Sequence, residues 1–175
     1  MNQVIENIKS RRSVKSYKNE MVSDDFIKQI VEAGTYAPSG MNKQSAIIVV
    51  VKDKEKRDFL SKLNAKIMNK EGDFDPFYNA PVILVVLARK DVSTNVYDGS
   101  VVLQNMMLAA HSLGVDSCWI HRAKEEFETE EGQKFLKSIG IDAHEFIGIG
   151  HCILGYRDKD VNDRIKRKDK YIYYA

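Results

Sequence analysis

Apolar and polar residues alternate along this chain with two different periods, and the periods change in step. Val4, Ile5 and Ile8 share one helical face, which predicts a short helix leading into Arg11. Ser23 is a good N-cap, followed by two acids suited to the positive end of a helix dipole. Phe26, Ile27, Ile30 and Val31 then repeat at helical spacing as far as Gly34, a plausible stop. Residues 37–44 form a loop by composition. The β-branched run 46–51 predicts a buried strand, and Phe59, Leu60, Leu63 and Ile67 predict an amphipathic helix within 53–70. A second buried strand follows at 82–88. The stretch 98–113 differs, because its apolar residues surround the helix instead of forming one stripe. A helix apolar on nearly every side is buried on nearly every side, as a central helix or at a subunit interface. Gly114 ends it. Residues 117–120 predict a short strand, 124–139 a charged helix with Phe127, Phe135 and Leu136 inward, and 146–154 another strand. The tail, 171–175, has strong β preference. Its strand can pair within its own sheet or with a partner's.

Strands alternate with helices, so the class is mixed α and β. The 175 residues suit one domain, 1–175, with a sizeable core, and the hydrophobic fraction of 43% excludes a disordered or fibrous chain. Formal net charge is +2, from 27 basic and 25 acidic residues, which argues against a nucleic-acid binder. Basic residues nevertheless bunch near both ends, at Arg11, Arg12, Lys15 and Lys18 and from Arg164 to Lys170. The apolar runs 46–51 and 81–88 are too short to cross a bilayer, and the N-terminus does not read as a secretory signal. Cys118 and Cys152 are too few for a disulfide scaffold and read as reduced thiols in a cytoplasmic protein.

Several chemistries can be set aside. The glycines of 148–155 have the wrong spacing for a dinucleotide fingerprint and lie in a strand. Cys118, His121, His151 and Cys152 could mimic a zinc set, but neighbours in a strand point to opposite faces, so no metal site is expected. His111 reads as a satisfied core histidine. Three segments remain suited to an anion and a flat polar ring. Arg11, Arg12, Ser13 and Lys15 offer guanidinium forks and a hydroxyl. Pro38, Ser39, Gly40, Met41, Asn42 and Gln44 offer close backbone approach and amide groups. Lys166, Arg167 and Lys168 add charge. Singly, each is more often a solvated surface run.

In this order and separation, these segments resemble the FMN-dependent nitroreductase family. Arg11-Arg12-Ser13-x-Lys15-x-Tyr17 is similar to its opening signature, and 37–44 to its second. Asp98 to Gly114 with Ser117 to Ile120 resembles its central helix and following strand, and Gly148 to Tyr156 its glycine-bearing last strand. The resemblance implies an α+β sandwich, a central mostly antiparallel sheet flanked by helices, working as an intertwined homodimer with C-terminal strand exchange. It implies FMN at the interface and NADH or NADPH as electron donor. Arg11, Arg12 and Ser13 would hold phosphate and ribityl oxygens, and Lys15 would lie near flavin N1 and the C2 carbonyl. Pro38, Ser39, Gly40, Met41, Asn42 and Gln44 would come from the other subunit, and Arg167 with Lys168 would return to the phosphate. Hydride would pass through flavin N5 in ping-pong order to nitro compounds, quinones or similar small acceptors, with no protein acid or base required. A flavin-binding sensor or carrier, or a dehalogenase or flavin destructase of the same fold family, are the alternatives. Ser45 and Ala46 stand where the family has proline and an aromatic residue. Asn64, Asn69 and Asn79 are the candidates for a further polar flavin contact. Phe74, Phe77 and Tyr78, with Asp73 and Asp75, form either a mobile lid or a loop docked on the core.

Overall fold

A computed structural model describes residues 2–70, 72–161 and 166–175. Four strands, β1 (Ala46–Val51), β2 (Val82–Arg89), β3 (Asp116–Ile120) and β4 (Phe146–Gly155), form one sheet in the order β1-β2-β4-β3. Every pairing is antiparallel. The uninterrupted apolar run of β2 follows from its central position, covered on both faces. Val82, Leu84 and Val86 enter one core layer with α2 (Asp24–Thr35) and α4 (Asn95–Ser112). Ile83, Val85 and Leu87 enter the other with α3 (Lys54–Ile67), α5 (Ala123–Glu128) and α6 (Glu130–Ser138). All six side chains are fully buried, each contributing about 1.5–3 kcal/mol by transfer.

The glycines of β4 serve this packing. A Cβ on Gly148 would stand 2.1 Å from the carbonyl oxygen of Ala123, and one on Gly150 would stand 2.4 Å from the Trp119 indole nitrogen. These positions let the start of α5 and the Trp119 ring approach the β4 backbone closely. Register shifts at the same place, where Val86 faces Gly150 and Leu87 faces Gly148.

Some expectations are revised. β1 is an edge strand and only Val51 is buried, because a single neighbour, β2, covers it. The predicted helix over 124–139 is two helices broken at Thr129, whose Oγ1 accepts from the Gly132 N–H at 3.0 Å and so starts α6. The tail 171–175 is irregular and exposed, with Tyr174 at 94% exposure. The 98–113 stretch is α4, packed on α2 and the sheet, while Tyr97 at 73% and Val101 at 36% leave one side open. No helix is long and apolar enough to cross a membrane among the described residues.

Before the sheet, α1 (Gln3–Ser10) is capped by Asn2, whose side chain accepts from Val4 N–H and Ile5 N–H. The chain then runs along the free side of β3: Val14 N–H donates to Ser117 O at 3.1 Å and Lys18 N–H to Tyr156 O at 2.9 Å. Val14 is fully buried and acts as the anchor of this segment.

Candidate functional site

The Val14 anchor presents the basic motif along β3. Arg11 is half-buried, and its Nη1 is enclosed with no hydrogen-bond partner. A buried guanidinium nitrogen left without an acceptor is costly, and it is the group an anionic oxygen would satisfy. Arg12 turns back: its Nη1 donates to the carbonyls of Lys9, Ser10 and Arg11 at 2.9, 3.1 and 2.7 Å, closing the end of α1. Ser13 and Lys15 are exposed on the same stretch. Cys118 lies beneath them. Burial raises its thiol pKa, against the opposing influence of the Ser13 hydroxyl, Lys15 and Arg11. His111 is half-buried beside this cluster, its Nε2 2.8 Å from Ser10 Oγ. Burial and then the field of Arg11 depress its pKa.

The second segment lies at the other side of the sheet. It leaves α2 at Tyr36, passes a 3-10 turn at Gly40–Asn42 and enters β1. Three non-glycine residues there have left-handed backbone, Met41 (φ 52°), Asn42 (φ 53°) and Gln44 (φ 48°). Such strain persists only where the surroundings over-determine it, and it clusters at functional sites. Asp98, at the start of α4 and 4% exposed, supplies the constraint. Its carboxylate accepts from Gly40 N–H (3.0 Å), Ser45 Oγ (2.7 Å) and Thr94 Oγ1 (3.1 Å). Burial works to raise its pKa, and these donors outweigh burial, so it titrates below the ordinary carboxylate range. Ser39 Oγ accepts from Gln44 N–H at 3.0 Å. Beside the loop, Val31, Pro38, Gln44, Ala46, Ile48 and Val102 help line a cavity of about 340 Å³.

β1 and β3 are opposite edges of the sheet. Three inter-strand steps of about 4.8 Å separate them, roughly 14 Å. One chain therefore does not bring Arg11–Lys15 and Pro38–Gln44 together. Arg167 and Lys168 are exposed in the tail, where Lys168 Nζ sits 5.5 Å from the Tyr171 ring, and nothing described joins them to Arg11. Arg164 lies outside the described residues.

The 72–80 loop is docked, not a free lid. Phe77 is fully buried, and Asp75 accepts from Arg57, from Ser61 Oγ at 2.7 Å, from Phe77 N–H at 2.9 Å and from Asn79 N–H at 2.6 Å. Burial pushes the Asp75 pKa up, but Arg57 and the other donors bring it below the ordinary range. Asn64 is a core residue: its Nδ2 donates to the buried Glu126 and, at 3.0 Å, to His121 O. Glu126 Oε2 lies 2.9 Å from His151 Nε2, so His151 is committed to the core on the α3–α5 side, while Cys152 faces α2 and α4. Sequence reasoning missed Asp98 and Asp75 as organisers. For Asp98 the available signal was an acid opening an otherwise apolar helix.

An antiparallel four-stranded sheet between two helical layers, with a cation-bearing segment on one edge and a strained polar loop on the other, defines an α+β sandwich that offers ligand groups at both edges. The chain belongs to the Nitroreductase family, which residues 8–156 match. An Archaeoglobus fulgidus protein with a provisional NADH dehydrogenase/NAD(P)H nitroreductase name is 30% identical over 176 residues, covering 98% of this chain and 94% of the relative. The crystal structure of a nitroreductase with bound FMN from Bacteroides fragilis superposes with a TM-score of 0.91 at 28% identity, over 100% of both chains. A nitroreductase with bound FMN from Desulfitobacterium hafniense gives 0.88 at 27% identity, again over 100% of both.

Proposed function

We propose that this protein is an NAD(P)H-dependent FMN oxidoreductase whose site is shared between two copies of the chain. The observation that carries this reading is the enclosed, unpartnered Arg11 Nη1, beside Ser13 and Lys15, in a fold whose relatives above are described with bound FMN. The residues fit the cofactor. Arg11 supplies a charge-assisted donor to the phosphate, Ser13 a hydroxyl, and Lys15 a cation for the N1–C2 edge.

The separation of the two polar segments across the sheet supports a site to which the 38–44 loop comes from a second copy. The open side of α4, with Tyr97 and Val101, supports that reading as a surface for the second copy, and so does the exposed, irregular aromatic tail, which would order against the partner's sheet. Arg167 and Lys168 would reach the phosphate in that assembly. Arg12, whose Nη1 serves the end of α1, is placed to add charge there and not a direct fork from that nitrogen.

FMN held there would supply hydride chemistry at N5, with NADH or NADPH as donor and nitro compounds, quinones or similar small molecules as acceptors in ping-pong order. The chain's part is to hold the phosphate, to offer a cation where negative charge accumulates, and to keep the loop geometry rigid through Asp98. The test is an anaerobic titration of FMN-loaded protein. Absorbance near ~450 nm should bleach with NADH or NADPH and return on adding an acceptor. Loaded protein that neither nicotinamide bleaches would be a flavin-binding module and would refute the reading.

A further inference from the structure

Lys15 faces a loop that the fold holds rigid, and we propose that Tyr78 is a positioning residue that orients the Lys15 ammonium toward the flavin. The role presupposes the functional reading of Lys15 given above, with its ammonium at the N1–C2 edge.

Tyr78 (φ 53°) and Asn79 (φ 63°) are consecutive left-handed residues, neither of them glycine. Left-handed backbone is unfavourable for a residue with a Cβ, most of all for the bulky Tyr78, and persists where the surroundings over-determine it. Here the constraint is built on both sides. Asp75 accepts the N–H of Phe77 and of Asn79, the residues flanking Tyr78. Arg57, 8% exposed, ion-pairs with Asp75 and also donates from Nε to Ala80 O at 3.1 Å, so one guanidinium brackets the turn. Phe77 is seated in the core with its ring 5.2 Å from that of His151.

This strained turn places the Tyr78 ring 5.8 Å from Lys15 Nζ. Lys15 has its backbone fixed by the buried Val14 beside it, but its side chain is exposed and otherwise has four free torsions. An ammonium held over an aromatic face samples a narrower region. The fold thus fixes one wall against which the cation rests.

The experiment compares dissociation constants for oxidised and anaerobically reduced FMN in wild type, Lys15→Ala, Tyr78→Ala, Tyr78→Leu, Tyr78→Phe and Lys15→Ala/Tyr78→Ala. Their ratio reports how well each protein stabilises the reduced flavin, independently of turnover. Tyr78→Ala should lower the preference for reduced FMN by about 2- to 5-fold, the size of an exposed cation–π contact. Tyr78→Leu, which keeps apolar bulk without a π face, should do the same if the alanine variant folds poorly. Tyr78→Phe should restore the wild-type ratio. In the Lys15→Ala background, Tyr78→Ala should change the ratio no further. A Tyr78 effect that persists in full without Lys15, or a wild-type ratio in Tyr78→Leu, overturns the positioning role alone. A ratio untouched by Lys15→Ala overturns the placement of Lys15 itself, and this role with it.

Discussion

Replacing Asp98 by alanine should uncouple the strained 38–44 loop from the helix that holds it. Asp98 accepts three hydrogen bonds, from Gly40 N–H, Ser45 Oγ and Thr94 Oγ1. Thr94 is half-buried and can turn to water, whereas Ser45 is 1% exposed and cannot. Two donors are thus left without acceptors, each costing about 1–3 kcal/mol. Relief from burying a carboxylate offsets part of this, for a net loss of about 3 kcal/mol, a sizeable part of a typical 5–15 kcal/mol stability. At roughly 2–4 °C per kcal/mol for a chain of this size, the Tm should fall by about 6–12 °C. Asp98→Asn keeps the shape and one acceptor oxygen for Gly40, so it should cost markedly less. Thermal melts at neutral pH, with FMN titrations of both variants, provide the assay. The alanine variant should also lose FMN affinity, because Met41, Asn42 and Gln44 relax from positive φ. A Tm within about 2 °C of wild type would refute the assignment of Asp98 as the loop's anchor.

Three other outcomes follow from the structure. Asp75 and Asp98 titrate below their unfolded value of about 3.9, so on acidification the unfolded chain takes up protons first. Their contribution should be complete above about pH 5 and lost as pH falls through the folded values; acid melts of Asp75→Asn should show a shallower loss than wild type. Gly148→Ala should destabilise by about 3 kcal/mol or prevent folding, since its Cβ would meet the Ala123 backbone at 2.1 Å; an unchanged urea midpoint would contradict this packing. Burial pushes the Cys152 thiol up to about 12 and raises Cys118 as well, so neither should react with a thiol reagent at pH 8 until denaturant is added.

What the sequence made legible was what depends on local periodicity. The Ser23 cap, β2 and the C-terminal end of α4 follow directly from spacing and cap chemistry, whereas α4 starts at Asn95, three residues before the predicted Asp98, with no side-chain cap at Thr94 to mark it. The break at Thr129 was hidden because the apolar positions keep helical register on both sides of it, and only the side-chain cap to Gly132 marks a new start. β1 looks like a core strand because its composition matches β2; edge position is a property of sheet order, not of residue type. The candidate site divides in the same way. Guanidiniums, amides and hydroxyls announced a polar ligand, yet their distribution over the two sheet edges depends on topology. The family resemblance made Asn64 one of three candidates for a flavin contact, while the fold commits it to Glu126 and His121. The organising roles of Asp98 and Asp75 were not legible because their donors, Gly40, Ser45 and Thr94 for one and Arg57, Ser61, Phe77 and Asn79 for the other, are gathered by the fold and follow no local spacing.

Calorimetric titration of wild type and Arg11→Ala with FMN and with riboflavin isolates the phosphate grip. A charge-assisted contact to the enclosed Arg11 Nη1 is worth about 1.5–3 kcal/mol, so wild type should bind FMN at least ~10-fold more tightly than riboflavin. Arg11→Ala should remove most of that preference while leaving riboflavin binding nearly unchanged. Equal affinity of the wild-type protein for FMN and riboflavin, or a preference that survives the loss of Arg11, would contradict the account.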